Sequence, residues 1–238
     1  MDVGQISSNA IKYPLADFKK ILILGIVLIL SFLIIPGFLY LGYLFRVLKT
    51  TLGGSDELPE FGEWREMFLD GFRVFVVLLV YTIVPITLIL IGLWTSLISM
   101  ISIPNIGANE LPSISLGVIS SISILGGILA IIISFLIPII LTNMADYGEL
   151  KYAFNFNKLI QKISEIGWVD YFIWYIVMLI IWYVTATIAF LLIFPLIIGI
   201  LLVPLVLYPY ITLFFARSTA LVYVYGGIED YPKSTSYK

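Results

Sequence analysis

The chain has 238 residues, 61% hydrophobic and 12% charged, with a net charge of −2 and a mean hydropathy of +1.10. Soluble domains carry about 25% charge, so this is a membrane composition, and the acidic balance argues against a nucleic-acid partner. There is no cysteine and no histidine, which excludes disulfides, thiol chemistry, imidazole acid–base work and the commonest zinc sites.

Residues 1–20 are polar. Lys12, Lys19 and Lys20 interleave with Tyr13, Leu15 and Phe18, the pattern of an interfacial segment whose rings sit at headgroup level while its lysines snorkel. Ile21 to Phe45 carries no charge. That run exceeds a signal-peptide core of roughly 7–15 residues and no small-residue cleavage site follows it, so it reads as a permanent membrane segment. Pro36-Gly37 interrupts it. The stretch before the break makes about 22 Å of helix, short of a hydrocarbon core of roughly 30 Å. It is therefore either a re-entrant hairpin that turns at Pro36-Gly37 or a fifth, kinked span. Lysine and arginine occur in four places, 12–20, 46–73, 151–162 and 217–238, numbering 3, 4, 3 and 3. A hairpin puts all thirteen on one side, whereas a span separates three from ten. The positive-inside rule favours the hairpin, with both termini cytoplasmic.

Between Arg46 and Arg73 stand 10 of the 28 charged residues. Gly53-Gly54-Ser55 is a turn. Pro59 suits a first helical position, and Glu60 and Glu63 suit a first turn. Phe61, Trp64, Phe68 and Phe72 then recur at helical spacing opposite Glu63, Glu66, Asp70 and Arg73, which predicts an amphipathic section over 53–73 with an aromatic face. Arg46, Trp64, Arg65 and Phe68 are its candidate partner-binding residues, because aromatic and arginine anchors framed by charge dominate interfaces.

The later hydrophobic segments fall at about 74–101, 116–141, 170–193 and 196–222, giving four transmembrane helices in a single membrane domain over 1–225. The short tail, 226–238, follows. Residues 102–115 form an external loop. Gly117, Ser120, Ser123, Gly127, Ala130 and Ser134 put small side chains on one face of the third segment, suited to close helix packing. Intramolecular packing is one use of that face. Homo-oligomerisation through Gly117, Ser120, Gly127 and Ser134 is the other. In the second cytoplasmic section, 142–169, Lys151-Tyr152 with Lys158 echoes Lys12-Tyr13 with Lys19. Trp168, Tyr171, Phe172, Trp174 and Tyr175 form an aromatic belt at the next entrance.

Inside the spans from Val74 to Ala216 there is no ionisable Asp, Glu, Lys, Arg or His. Such groups mark proton- and ion-coupled transport, so their absence demotes a secondary transporter. No phosphate loop is present, and a Ser-His-Asp set is impossible without histidine. The carboxylates between Asp56 and Asp70 read as a solvated face. The chain is therefore expected to be no enzyme, with no catalytic residues, no cofactor and no metal site.

In order and spacing, Gly42-Tyr43, Arg46, Gly53, Glu57-Leu58-Pro59, Trp64, Phe68 and Asp70-Gly71 resemble the prokaryotic multi-pass membrane family catalogued as domain of unknown function 4013. Ile166-Gly167-Trp168 followed by Tyr171 resembles that family's second conserved region. Phe61 and Trp64 stand where the family often has a single Trp after the Pro. The resemblance covers nearly the whole chain and implies an integral membrane protein without an assigned activity. More loosely, the alternation of membrane hairpins and amphipathic segments is similar to the membrane domain appended to some glycerophosphodiester phosphodiesterases, from which no catalytic residue carries over.

The expected architecture is an all-α integral membrane protein with cytoplasmic interfacial amphipathic helices, in the cell membrane. The expected function is a non-enzymatic scaffold that binds a protein partner at its cytoplasmic face. The alternative is a channel or transporter-like protein for an apolar or lipid-like substrate.

Overall fold

The computed structural model describes residues 2–102, 121–193 and 197–225. Among these residues there is no strand. The helices are α1 (Val3–Lys12), α2 (Phe18–Ile29), α3 (Ile35–Leu52), α4 (Trp64–Ser102), α5 (Ser121–Tyr147), α6 (Phe156–Ile166), α7 (Trp168–Ile193), α8 (Ile197–Leu202) and α9 (Tyr208–Tyr225). Four helical stretches are long and apolar enough to cross a membrane: Trp64–Ile98, Ser121–Tyr147, Trp168–Ile193 and Gly199–Tyr225. The expected external loop and tail lie outside the described residues. The chain forms two compact units, Met1–Phe75 with Pro138–Lys238, and Val76–Ile137.

In the first unit α2 and α3 form a helical hairpin. The turn occupies Leu30–Ile34, where Ile34 has φ +67°, and not Pro36-Gly37 as the sequence predicts. Proline fixes its own φ in the helical range and tolerates the first turn, where no N–H is needed, so Pro36 starts α3 rather than ending α2. A β-branched residue at positive φ is costly. Ile34 bears that cost where the chain reverses.

Glycines decide the helix crossings. A β-carbon on Gly42 would collide with the carbonyl oxygen of Met67, and one on Gly71 with that of Phe38. α3 and the start of α4 thus cross backbone to backbone, each helix offering its glycine to the other's carbonyl. Gly25 meets the carbonyl of Leu205 in the same way. Leu205 sits in a π-helical turn, Val203–Leu207, that leads into α9. Pro209 supplies the reason: it has no N–H for the carbonyl four residues earlier, that of Leu205, and the helix widens there.

Around these crossings lies the core: Tyr13, Ile21, Leu24, Tyr40, Tyr43, Val47, Leu58, Met67 and Leu213. α9 packs against α1, α2 and α3 on one side and against α6 and α7 further along. The faint lysine–tyrosine repeat has a structural counterpart. Tyr13–Ala16 and Leu150–Phe154 are both short 3₁₀ turns. Each precedes a helix capped by a side chain, Asp17 accepting from Lys20 N and Asn155 from Lys158 N.

In the second unit the close approach falls at Gly126. Its β-carbon would come within 2.9 Å of the carbonyl oxygen of Pro85. An added β-carbon on Gly127 meets open space, so that residue faces away from this crossing. Gly117 and Ser120 lie outside the described residues.

Candidate functional site

The charge-rich section is organised by its own backbone. From Ser55 to Gly62 the chain is irregular, and its carbonyl oxygens need donors wherever water is excluded. Side chains from distant elements supply them. Tyr13 Oη donates to Glu57 O at 3.1 Å, and Lys20 Nζ to Leu58 O at 2.8 Å. Tyr43 Oη donates to Pro59 O at 2.9 Å. Arg46 Nη1 reaches Glu60 O at 3.1 Å and Gly62 O at 2.9 Å. Arg217 Nη1 donates to Ser55 O at 2.6 Å. Six carbonyls are thus held by five side chains. Leu58 and Pro59 are buried beneath them, and Phe61 stacks on Tyr43 with ring centroids 4.2 Å apart.

Arg217 is the centre of this cradle. Its side chain is only 3% exposed. Its guanidinium also donates to Thr51 Oγ1 and Asn9 Oδ1, each at 3.2 Å, pairs with Asp56, and lies over the Tyr13 ring. Burial pushes the Tyr13 hydroxyl above its ordinary value. The sequence places Arg217 only at the exit of the last span. Nothing in a one-dimensional pattern ties it to Asp56 or Asn9.

The expected amphipathic helix does not start at Pro59. α4 starts at Trp64, just after Glu63 with φ +47°, and runs 39 residues without a break. At about 58 Å it is longer than a bilayer core of roughly 30 Å. The aromatic face is also rearranged. Phe38 of α3 takes Phe68, Phe72 and Phe75 edge-on at 5.3, 5.6 and 5.3 Å. Asp70, expected on a solvated side, is buried. Lys49 reaches it at 2.6 Å and Arg73 at 3.1 Å, as a buried carboxylate requires.

The four candidate partner-binding residues therefore divide. Arg46 and Phe68 are engaged inside the unit, the first by carbonyls and the second by Phe38. Trp64 is half exposed and Arg65 is exposed. Beside them opens a charged cleft lined by Arg46, Lys49, Glu60, Glu63, Glu66 and Asp70. The unit's second polar group sits where α5, α6 and α9 meet. Tyr223 Oη donates to Asn143 at 3.0 Å and Asp146 at 3.1 Å, and Asn143 donates to Tyr152 O at 2.7 Å. Among the described residues no cluster of carboxylates has the makings of a metal site.

A family model described as "Protein of unknown function (DUF4013)" matches residues 25–194. The chain belongs to this family. No curated protein and no solved structure gave a match. The DUF4013 match takes in the Gly42–Gly71 crossing, Tyr43, Arg46 and the whole 55–62 segment. It leaves out Tyr13, Lys20 and Arg217, three of the five side chains that hold that segment. Family membership carries no assigned activity, so a functional reading has to rest on this chain's own geometry.

Proposed function

We propose that this DUF4013 protein is a non-enzymatic scaffold of the cell membrane that binds a protein partner through the start of α4. The supporting observation is the exposure of Trp64 and Arg65 beside a charged cleft, on a backbone fixed by buried donors. Aromatic and arginine side chains presented by a fastened frame lose little freedom on binding. In this reading the protein crosses the membrane four times, the α2–α3 hairpin enters and leaves from one side, and both termini are cytoplasmic. The open face at Gly127, with exposed Ser134, is the surface on which a second copy would pack.

The test is a pull-down in mild detergent with a double variant, Trp64→Ala with Arg65→Ala. Arg65 is exposed and Trp64, half exposed, touches the Phe61 ring, with centroids 6.3 Å apart, so the variant should stay within about 1 kcal/mol of wild-type stability and lose the partner. Phe68→Ala, by contrast, should lower stability by roughly 1–3 kcal/mol through loss of its ring contact with Phe38. If the stable double variant keeps every specific partner, the start of α4 is not the binding surface.

A further inference from the structure

In the first unit the short helices and the hairpin pack along α9, from Tyr210, which donates to Ile11 O, to Tyr223. α1 packs along that helix, with Asn9 on Arg217. The base of the α2–α3 hairpin is tied to the 55–62 segment through Lys20 and Tyr43. α6 packs against α7 and α9, and Lys162 Nζ lies 4.4 Å from the Tyr223 ring centroid. Large apolar side chains stand outward from these pieces. Ile11, Leu15 and Phe18 are exposed next to Lys12 and Lys19, and Phe156 and Ile160 are exposed on α6 while Leu159, Ile163 and Ile166 are buried beneath it. At the far end of the hairpin Phe32 is 75% exposed, with Leu33, Ile34 and Ile35 exposed beside it.

We propose that this unit senses membrane curvature, and that its partner is the acyl-chain layer of the cytoplasmic leaflet where headgroups part. The inference rests on the one-sided topology proposed above. From Ile21 to Leu33 the hairpin's apolar arm is about 20 Å long, which ends it inside a hydrocarbon core of roughly 30 Å. The hairpin thus adds two helix cross-sections, each about 10–12 Å wide, chiefly to the leaflet it enters. α1 and α6 set further apolar side chains into that leaflet at headgroup level. Such helices bind where lipid packing is loose, and their binding is curvature-sensitive. With a net charge of −2, loose packing rather than anionic headgroups supplies the selectivity.

The full chain would be reconstituted into a mixture of small and large vesicles of phosphatidylcholine alone. Orientation would be read by impermeant labelling of Glu57→Cys and of Ser8→Cys, introduced singly. Molecules whose labelled side faces outward should be several-fold denser per lipid on the small vesicles. A variant with Ile11→Ser, Leu15→Ser and Ile160→Ser should move toward even density. Equal density of the wild type on both sizes overturns the proposal. So does enrichment that appears only when anionic lipid is added. Labels on opposite sides of one vesicle population remove the topology as well, whereas labels on the same side with equal density remove curvature sensing alone.

Discussion

Gly71→Leu should abolish the folded form of the protein in detergent. The added side chain has nowhere to go, because its β-carbon already coincides with the carbonyl of Phe38 and presses on the amide nitrogen of Gly42. Backbone cannot swing aside as a flexible side chain can. Overpacking in an ordinary core costs about 1–3 kcal/mol. Here α3 and α4 must separate, which also parts Phe38 from Phe68, Phe72 and Phe75 and withdraws Lys49 from Asp70. The sum approaches the roughly 5–15 kcal/mol that holds a typical fold together. Gly71→Ala should already lower the melting temperature. Gly62→Ala is the control, since an added β-carbon there meets nothing within 4 Å. Size-exclusion profile and thermal unfolding of the three variants check the ordering, and a stable, monodisperse Gly71→Leu protein would show that the helices do not cross at these glycines.

Arg217→Met should be the next most damaging change. It removes the donor to Ser55 O, the pairing with Asp56, the bonds to Thr51 and Asn9, and the cation over Tyr13. Hydrogen bonds to a charged group are worth about 1.5–3 kcal/mol each, and breaking a buried pair costs about 3–5 kcal/mol. Asp56 is 76% exposed and regains water, which puts the net loss at about 3 kcal/mol, the low end of that range. Asp56→Asn should cost less than Arg217→Met, because the bonds from Arg217 to Ser55, Thr51 and Asn9 remain, although the buried guanidinium loses its counter-charge. Limited proteolysis should cut the Arg217→Met protein between residues 53 and 63 and spare Asp56→Asn. Equal resistance of the two would mean that Arg217 does not hold the segment.

The four long apolar helices were legible because their uncharged runs are long and lysine and arginine fall outside most of them, whereas Pro85 and Pro138 lie inside α4 and α5. Trp168 opens α7 after Gly167 with φ +95°, but Tyr171 and Trp174 of the expected belt are buried in the core, where Trp174 donates to Ser218. The start of α4 was misread because Pro59, Glu60 and Glu63 carry the local signs of a helix start. Those signs lost to long-range chemistry, since Tyr43, Lys20 and Arg46 hold the carbonyls of Leu58, Pro59, Glu60 and Gly62 in an irregular path. The cradle itself was illegible. Arg217 and Asp56 lie 161 positions apart, and no spacing rule links them. Gly126 and Gly127 look alike in sequence. Which of them packs depends on the rotation of α5 about its axis, and a face of small residues fixes that only to within a residue.

The claim beneath the proposed function is that all four sections carrying lysine and arginine lie on one side, with the α2–α3 hairpin re-entering there. Single cysteines at Ser8, Glu57 and Asn109 test it directly, because the chain has no native cysteine. Intact cells would be treated with an impermeant thiol reagent, then lysed and treated again. The account predicts labelling from outside at position 109 alone, with 8 and 57 reacting only after lysis. Reaction of either 8 or 57 from outside, with the other protected, would make residues 21–45 a full span and contradict it.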